Sequence, residues 1–165
     1  MIAIDTNVLV YAVSEQDPHH GPSRNLIDGV AAGRVSACIF PQNLLEFYAV
    51  ATNPRRVQRP LSVTEALKEM TALRSILQVV SPRESALDIL EGLVATSETT
   101  QADVFDAFIA AQMQDAGIHT LCTYNTGDFE TFLIELRTPE ELLAYLDNSP
   151  GGAGFVQDRL RRRPR

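Results

Sequence analysis

The chain begins with four apolar residues that lead directly into a carboxylate, Asp5. This run is too short for a helix and has no polar alternation, which is typical of a strand buried on both faces of a parallel sheet. Thr6 or Asn7 can cap a helix that begins at Val8. We therefore expect Asp5 at the carboxyl end of a central strand, in the crevice where open α/β sheets bind ligands. The alternative is that Asp5 only caps the helix.

The composition predicts one globular domain with a substantial core. The chain has 165 residues, of which 45% are hydrophobic and 21% are charged, as in ordinary soluble domains. Its apolar runs are shorter than a membrane span, and the first residues lack the basic segment of a signal peptide. We expect a cytoplasmic protein with no membrane segment. Cys38 and Cys122 lie within apolar runs, which favours buried thiols over a disulfide or a metal pair.

Strand-like apolar runs alternate with helical patterns along most of the chain. The strands are predicted at 1–4, 35–40, 77–80, 119–123 and 133–137. This alternation is typical of a mostly parallel five-stranded sheet with helices on both faces, an α/β fold. We assign residues 1–146 to this domain and residues 147–165 to a flexible Gly/Pro linker with an Arg-rich tail.

Three acidic residues stand in helical segments whose neighbours are apolar or small. Glu46 is flanked by apolar residues on both sides, although a solvated position on the helix also explains it. Asp103 and Asp106 are three apart and so lie on one helix face. Asp103 has the spacing of a capping box with Thr100. Asp106 is one turn further in, among alanines that leave room around a carboxylate.

Further oxygen donors, Asn125 and Asp128, follow the fourth predicted strand. They share a sheet edge with Asp5 if that strand neighbours the first, although an Asx-type turn also explains them. Several carboxylates that converge without basic partners repel one another unless they are protonated or hold a hard cation. Ligation by oxygen alone favours Mg²⁺ or Mn²⁺. Such ions on a carboxylate cluster indicate hydrolysis of a phosphodiester.

These motifs resemble the PIN-domain family of ribonucleases, in particular the VapC-type toxins of bacterial toxin–antitoxin pairs. The resemblance covers residues 1–146 and rests on Glu46 and on the segments IDTNVL from Ile4, DAFIAA from Asp106 and LCTYNTGDF from Leu121. It implies a PIN-like α/β/α sandwich in which the first strand lies between the second and the fourth. It also implies a metal-dependent endoribonuclease that hydrolyses RNA phosphodiester bonds, the toxin of a type II toxin–antitoxin pair.

The same resemblance assigns roles to the acidic residues. Asp5, Glu46 and Asp106 match the family's first three acids, and would be the catalytic and metal-binding residues. Asn125 stands where a fourth acid is usual. Asp103 or Asp128 would then compensate, and a second metal ion would bind more weakly because the site has one charge fewer.

Polar residues beside these acids, and partner molecules, are also implied. Thr6, Asn7 and Thr123 would support the first acid or a bound water. The cofactor would be Mg²⁺ or Mn²⁺, and the partners would be an RNA substrate, a cognate antitoxin and a second copy of the chain in a homodimer.

The charge distribution is divided between an acidic body and a basic end. The net charge is −7, which argues against nucleic-acid binding through an overall basic surface. Two basic segments can still contact an RNA backbone. One is a loop between prolines with Arg55, Arg56 and Arg59, and the other is the tail, with Arg159, Arg161, Arg162, Arg163 and Arg165. A solvated terminus is the alternative for the tail.

Two other function classes compete with a nuclease. A phosphatase of the halo-acid dehalogenase type needs a second Asp at the position of Asn7. It also needs a suitably placed lysine, and the only lysine of this chain is Lys68. A PIN-like module that binds RNA or protein without cutting is favoured by Asn125 alone. His19 and His20 are predicted to lie in a solvated loop and not to act as a general base.

Overall fold

The computed structural model describes residues 1–97 and 103–148. Its centre is a five-stranded sheet in which all four strand pairings are parallel. The strands are β1 (Ile2–Ile4), β2 (Ala37–Ile39), β3 (Gln78–Val79), β4 (Thr120–Cys122) and β5 (Glu135–Arg137). Their spatial order is β3-β2-β1-β4-β5, which confirms the expected place of β1 between the second and fourth strands.

Helices cover both faces of the sheet. They are α1 (Thr6–Val13), α2 (His20–Ala31), α3 (Pro41–Ala51), α4 (Val63–Ile76), α5 (Ser85–Ser97), α6 (Asp103–Asp115), α7 (Thr126–Phe129) and α8 (Pro139–Asn148). Side chains of β1 alternate between two apolar cores: Ile2 and Ile4 pack with one and Ala3 with the other. The fold is therefore the predicted α/β/α sandwich.

The central strand is buried on both faces, as its unbroken apolar run predicted. Ile2, Ala3 and Ile4 are each at most 1% exposed. Cys38 and Cys122 lie on the two strands that flank β1, and both thiols are free and buried. Burial raises the pKa of Cys38 to about 12, so this thiol stays protonated. The expectation of buried cysteines without a disulfide is confirmed.

The start of α1 differs from the expectation. The helix begins at Thr6 and not at Val8, and its cap is Asp5 and not Thr6 or Asn7. Asp5 keeps the extended backbone of the strand (φ −75°, ψ 156°), so its side chain folds back and accepts the N–H of Thr6 at 2.6 Å. Asp5 therefore ends the strand and caps the helix at once.

Other boundaries shift by a few residues. The helix α2 already begins at His20, inside the stretch expected to be a loop, and α7 was not predicted, since one turn carries no periodicity. In the described part of the chain no helix is long and apolar enough to cross a membrane. Thr100, the first residue of the predicted capping box, and the Arg-rich tail lie outside the described residues.

Candidate active site

A cleft of about 930 Å³ opens at the carboxyl end of β1. Four of the predicted metal ligands line it: Asp5 from the end of β1, Glu46 from α3, Asp106 from α6 and Asn125 from the turn after β4. These residues are brought together because parallel strands present their carboxyl ends at one edge of the sheet. Thr6 and Asn7 also line the cleft.

Asp5 is buried, at 6% exposure, and is held by three donors. Its Oδ1 accepts the backbone N–H of Thr6 at 2.6 Å. Its Oδ2 accepts the side-chain amide of Asn7 and the hydroxyl of Thr123, both at 2.7 Å. The Asn7 amide also lies 3.0 Å from the Thr123 hydroxyl. All three residues predicted to support Asp5 are therefore in contact with it.

The pKa of Asp5 is raised from 3.8 to about 6. Burial is the main cause, and the negative charges of Glu46 and Asp128 add to it. The hydrogen bonds from Thr123 and Thr6 act in the opposite direction because they stabilise the carboxylate. A bound cation would also stabilise the ionised form.

Glu46 is half-buried, and both of its carboxylate oxygens accept hydrogen bonds. Its Oε2 accepts the Thr6 hydroxyl at 2.8 Å, and its Oε1 accepts the Gln42 side-chain amide at 2.6 Å. The Thr6 hydroxyl in turn accepts from the fully buried amide of Asn43 at 3.2 Å. Glu46 is therefore a fixed group in the cleft and not a freely solvated position on α3.

Two of these partners, Gln42 and Asn43, were missed by the sequence reasoning. A neutral amide in a helix does not stand out from its neighbours as an acid among apolar residues does, so the residue type alone gives no indication of a role. The available signal was spacing: Gln42 precedes Glu46 by four residues and so lies on the same face of α3.

Asp106 is half-buried on α6 and lines the cleft. Three small side chains of the same helix, Ala107, Ala110 and Ala111, are fully buried, and Ala107 and Ala110 belong to the core that contains Ala3 of β1. The side chain of Asp103, one turn earlier, lies outside the described residues.

Asn125 and Asp128 follow β4 in different positions. Asn125 is exposed, caps α7 and lines the cleft, and its backbone N–H donates to the Thr123 hydroxyl at 3.0 Å. Asp128 is exposed on α7, outside the set of residues that line the cleft, and influences Asp5 through its charge. Asn125 is thus the better placed of the two oxygen donors.

The donors in this cleft suit a hard cation by chemical type, because they are carboxylate and amide oxygens. Among residues 1–97 and 103–148, no group of three His, Cys, Asp or Glu side chains is close enough to hold an ion. The acids share one cleft at the carboxyl edge of the sheet, with Glu46 held by protein hydrogen bonds.

The rim of the cleft carries both signs of charge. Arg56 and Arg59 line it, whereas Arg55 of the same loop does not belong to the lining. Glu15 and Asp17 line it as well. The described positive charges of the cleft therefore come from a single loop, between α3 and α4.

The prediction that His19 and His20 lie in a solvated loop is correct only in that His19 lies in the turn before α2; His20 begins the helix, and both side chains are partly buried. The His19 ring lies 4.0 Å from the Tyr124 ring and 5.2 Å from the Tyr11 ring, measured between centroids. The Nδ1 atom of His20 lies 3.0 Å from the carbonyl oxygen of Tyr11. Both histidines are partly buried because α2 packs against α1 at this point.

Comparison with known families identifies this architecture. A family model described as the PIN domain matches residues 2–132. The chain belongs to the PIN-domain family. Membership confirms the resemblance found in the sequence, and it favours a nuclease-type site over the phosphatase alternative. Asn7, where a phosphatase would need an acid, is here an amide that donates to Asp5.

This PIN-domain chain has curated relatives in Mycobacterium tuberculosis. It is 29% identical over 133 residues to Ribonuclease VapC24, an alignment that covers 80% of this chain and 91% of that protein. It is 34% identical over 117 residues to Ribonuclease VapC37, covering 67% and 78% of the two chains. A chain of a toxin–antitoxin complex from Klebsiella pneumoniae shares its fold, with a TM-score of 0.59 and 19% identity over 84% of this chain and 98% of that one.

Proposed function

We propose that this PIN-domain protein is a Mg²⁺- or Mn²⁺-dependent endoribonuclease that hydrolyses RNA phosphodiester bonds, the toxin of a type II toxin–antitoxin pair. The observation that carries the proposal is the convergence of Asp5, Glu46 and Asp106 on one cleft at the edge of the sheet. The names of the two curated relatives, both ribonucleases, support the reaction class.

Asp5, Glu46 and Asp106 would hold the metal ion, and the side-chain oxygen of Asn125 would be a neutral ligand beside them. Asp103 and Asp128 are further candidates for a second ion, which binds more weakly because Asn125 carries no charge. When bound, the ion supplies a water nucleophile at neutral pH and stabilises the charge that develops on the leaving oxygen.

The residues around Asp5 prepare it for this role. Donors from Thr6, Asn7 and Thr123 fix the orientation of its carboxylate. With a pKa of about 6, Asp5 is already largely ionised at neutral pH and can take up a cation without first losing a proton. The hydrogen bonds from these donors hold its side chain in place before the ion arrives.

RNA would approach along the basic side of the cleft. Arg56 and Arg59 line the cleft beside the acids, where they can neutralise phosphates on either side of the cleaved bond. Arg55 and the tail arginines would add weaker contacts. The RNA substrate supports a cytoplasmic location.

The partners would be a cognate antitoxin and a second copy of this chain. The acidic cleft suits a basic or polar antitoxin segment, and a toxin–antitoxin complex shares the fold. Large apolar side chains remain exposed on the single chain, such as Leu45 at 70% and Leu133 at 95%. These side chains are candidates for the contact between the two copies, and the homodimer itself is proposed from the resemblance to VapC-type toxins.

The decisive experiment is cleavage of a mixed pool of structured RNA with Mg²⁺, Mn²⁺ or EDTA. We expect cleavage only with metal, and products with 5′-phosphate ends. Asp5→Asn, Glu46→Gln and Asp106→Asn should each abolish cleavage and leave the fold intact by circular dichroism, because each removes a charge the ion needs. Asp103→Asn should cost less.

The Asp5→Asn protein also serves as the control for contaminating nucleases, since it is purified in the same way. Full-rate cleavage by Asp106→Asn would show that the site assignment is wrong.

A binding module without nuclease activity is the second candidate. One observation favours it: Asn125 stands where the family usually has an acid. Titration of the folded protein with Mn²⁺ separates the two. Retained RNA binding without Mn²⁺ binding or cleavage would support the module.

A further inference from the structure

Two glutamine side chains connect the helices that carry Glu46 and Asp106. Gln112 of α6 is 1% exposed, and its amide nitrogen donates to Oε1 of Gln42 on α3 at 3.1 Å. The amide nitrogen of Gln42 then donates to Oε1 of Glu46 at 2.6 Å and to the backbone carbonyl of Phe105 at 3.0 Å. Both N–H donors of Gln42 and its carbonyl oxygen are therefore used within the protein.

The two acceptors of Gln42 belong to different parts of the cleft. One is the carboxylate of Glu46 itself. The other is the carbonyl of Phe105, the residue directly before Asp106. A single side chain thus holds an acid of α3 and the backbone that places the acid of α6. The buried amide of Gln112 holds the Gln42 side chain in place by donating to its carbonyl oxygen.

We propose that Gln42 and Gln112 form a positioning relay that sets the spacing of Glu46 and Asp106 and thereby the affinity of the cleft for a divalent cation. The inference rests on the proposed function, because it assigns a role to those acids. Gln42 and Gln112 act through Glu46 and the Phe105 carbonyl, and they are positioning residues and not ligands.

The chemistry of an amide suits this role. Each carboxylate oxygen has two lone-pair directions, so the hydrogen bond from Gln42 leaves a direction of Oε1 open to a cation. A neutral amide orients Glu46 without cancelling its charge. A lysine or arginine in the same place would form an ion pair and compete with the metal.

The test uses near-isosteric substitutions in the full chain: Gln42→Met, Gln112→Met and the double variant. The matched control is Gln114→Met, since Gln114 is an exposed glutamine on the same helix. Mn²⁺ affinity is measured without RNA, from the electron paramagnetic resonance signal of free Mn²⁺. We expect Gln42→Met to weaken Mn²⁺ binding about tenfold to a hundredfold, the usual effect of losing a residue that orients a ligand.

Gln112→Met should weaken Mn²⁺ binding in the same direction but less. The double variant should bind no more weakly than Gln42→Met, because Gln112 acts through Gln42. Gln114→Met should bind as the wild type does. Equal affinity in Gln42→Met and in the wild type would overturn the relay.

Thermal unfolding separates positioning from a general loss of stability. Gln42→Met leaves the buried Gln112 amide without its acceptor, so the Tm should fall. Adding Gln112→Met removes that unpaired group and should restore part of the Tm, while Mn²⁺ affinity stays low. Recovery of affinity together with Tm would overturn the positioning role.

The same titration distinguishes failure of the relay from failure of the proposed function. A wild-type protein that binds no Mn²⁺ would contradict the metal-dependent nuclease, and with it the role given to the relay. If the wild-type protein binds Mn²⁺ and cleaves RNA, and Gln42→Met binds Mn²⁺ with the same affinity as the wild type, only the relay is contradicted.

Discussion

Asp5 meets three structural requirements with one side chain. It ends the central strand, caps the first helix and lines the cleft. Its burial would be costly for a permanent charge, and the protein offsets this cost with donors from Thr6, Asn7 and Thr123. The part of the burial cost that these hydrogen bonds do not offset raises the pKa of Asp5 to about 6.

This raised pKa predicts a pH dependence of stability. Because the folded state holds the proton of Asp5 more tightly than the unfolded state, the resulting stabilisation is fully present below the unfolded pKa and is lost as pH rises through about 6. Relative to Asp5→Asn, the wild-type free energy of unfolding should fall by about 2 to 3 kcal/mol between about pH 4 and pH 8. Urea denaturation of both proteins at several pH values, in the presence of EDTA, measures this difference in the free energy of unfolding.

The Asp5→Asn protein is its own control here, since its position 5 does not titrate and other groups cancel in the difference. A difference between the two proteins that stays constant with pH would contradict the raised pKa. Added Mn²⁺ should remove much of the loss at high pH in the wild type only, because the ion binds the ionised carboxylate.

At the level of single residues, the sequence predicted the acids of the site and the polar residues beside the strand ends, and missed the amides within α3 and α6. Asp5, Glu46 and Asp106 stand out because each is an acid among apolar or small neighbours. Gln42, Asn43 and Gln112 do not, since an amide in a helix is ordinary until its partner on another helix is known. The Gln42–Gln112 contact joins residues 70 positions apart, beyond the reach of any local pattern.

Among the secondary-structure elements, the basic loop between α3 and α4 carries the next prediction. Arg56 and Arg59 line the cleft and Arg55 does not. Arg56→Ala and Arg59→Ala should each weaken RNA binding and reduce its salt dependence, because each removes a contact with phosphate. Fluorescence anisotropy of a labelled RNA at several salt concentrations measures both effects, with the Asp5→Asn background used to prevent cleavage.

Arg55→Ala is the matched control from the same loop. It should reduce affinity and salt dependence less than Arg56→Ala or Arg59→Ala, because Arg55 does not line the cleft. Equal losses for all three arginines would indicate a diffuse electrostatic effect and would contradict a specific contribution of the cleft wall.

The elements themselves were predictable where the pattern was long or wholly apolar. The central strand and α3, which Pro41 opens, follow directly from the sequence. Paired strands are shorter than the apolar runs that contain them, as in β2, because apolar residues continue beyond the last hydrogen-bonded pair. The four-residue α7 and the cap of α1 depend on the backbone conformation at the end of a strand. The spacing of apolar residues in the sequence carries no information about that conformation.

For the whole molecule, the proposed homodimer predicts self-association in solution. We expect light scattering after gel filtration to give about twice the 18.2 kDa of one chain. The mass should be unchanged at high salt, because burial of apolar surface is not screened by ions. A mass of one chain across the tested concentrations would contradict the homodimer.

The position of β1 between β2 and β4 determines when the cleft forms during synthesis. Asp5 leaves the ribosome well before Thr123, which donates to its carboxylate and lies 118 residues further along the chain. Asp106 and Asn125 also follow Asp5 by about a hundred residues or more. A nascent chain therefore carries its first acid before the opposing wall of the cleft exists, and a chain whose translation stops before Asp106 lacks that wall.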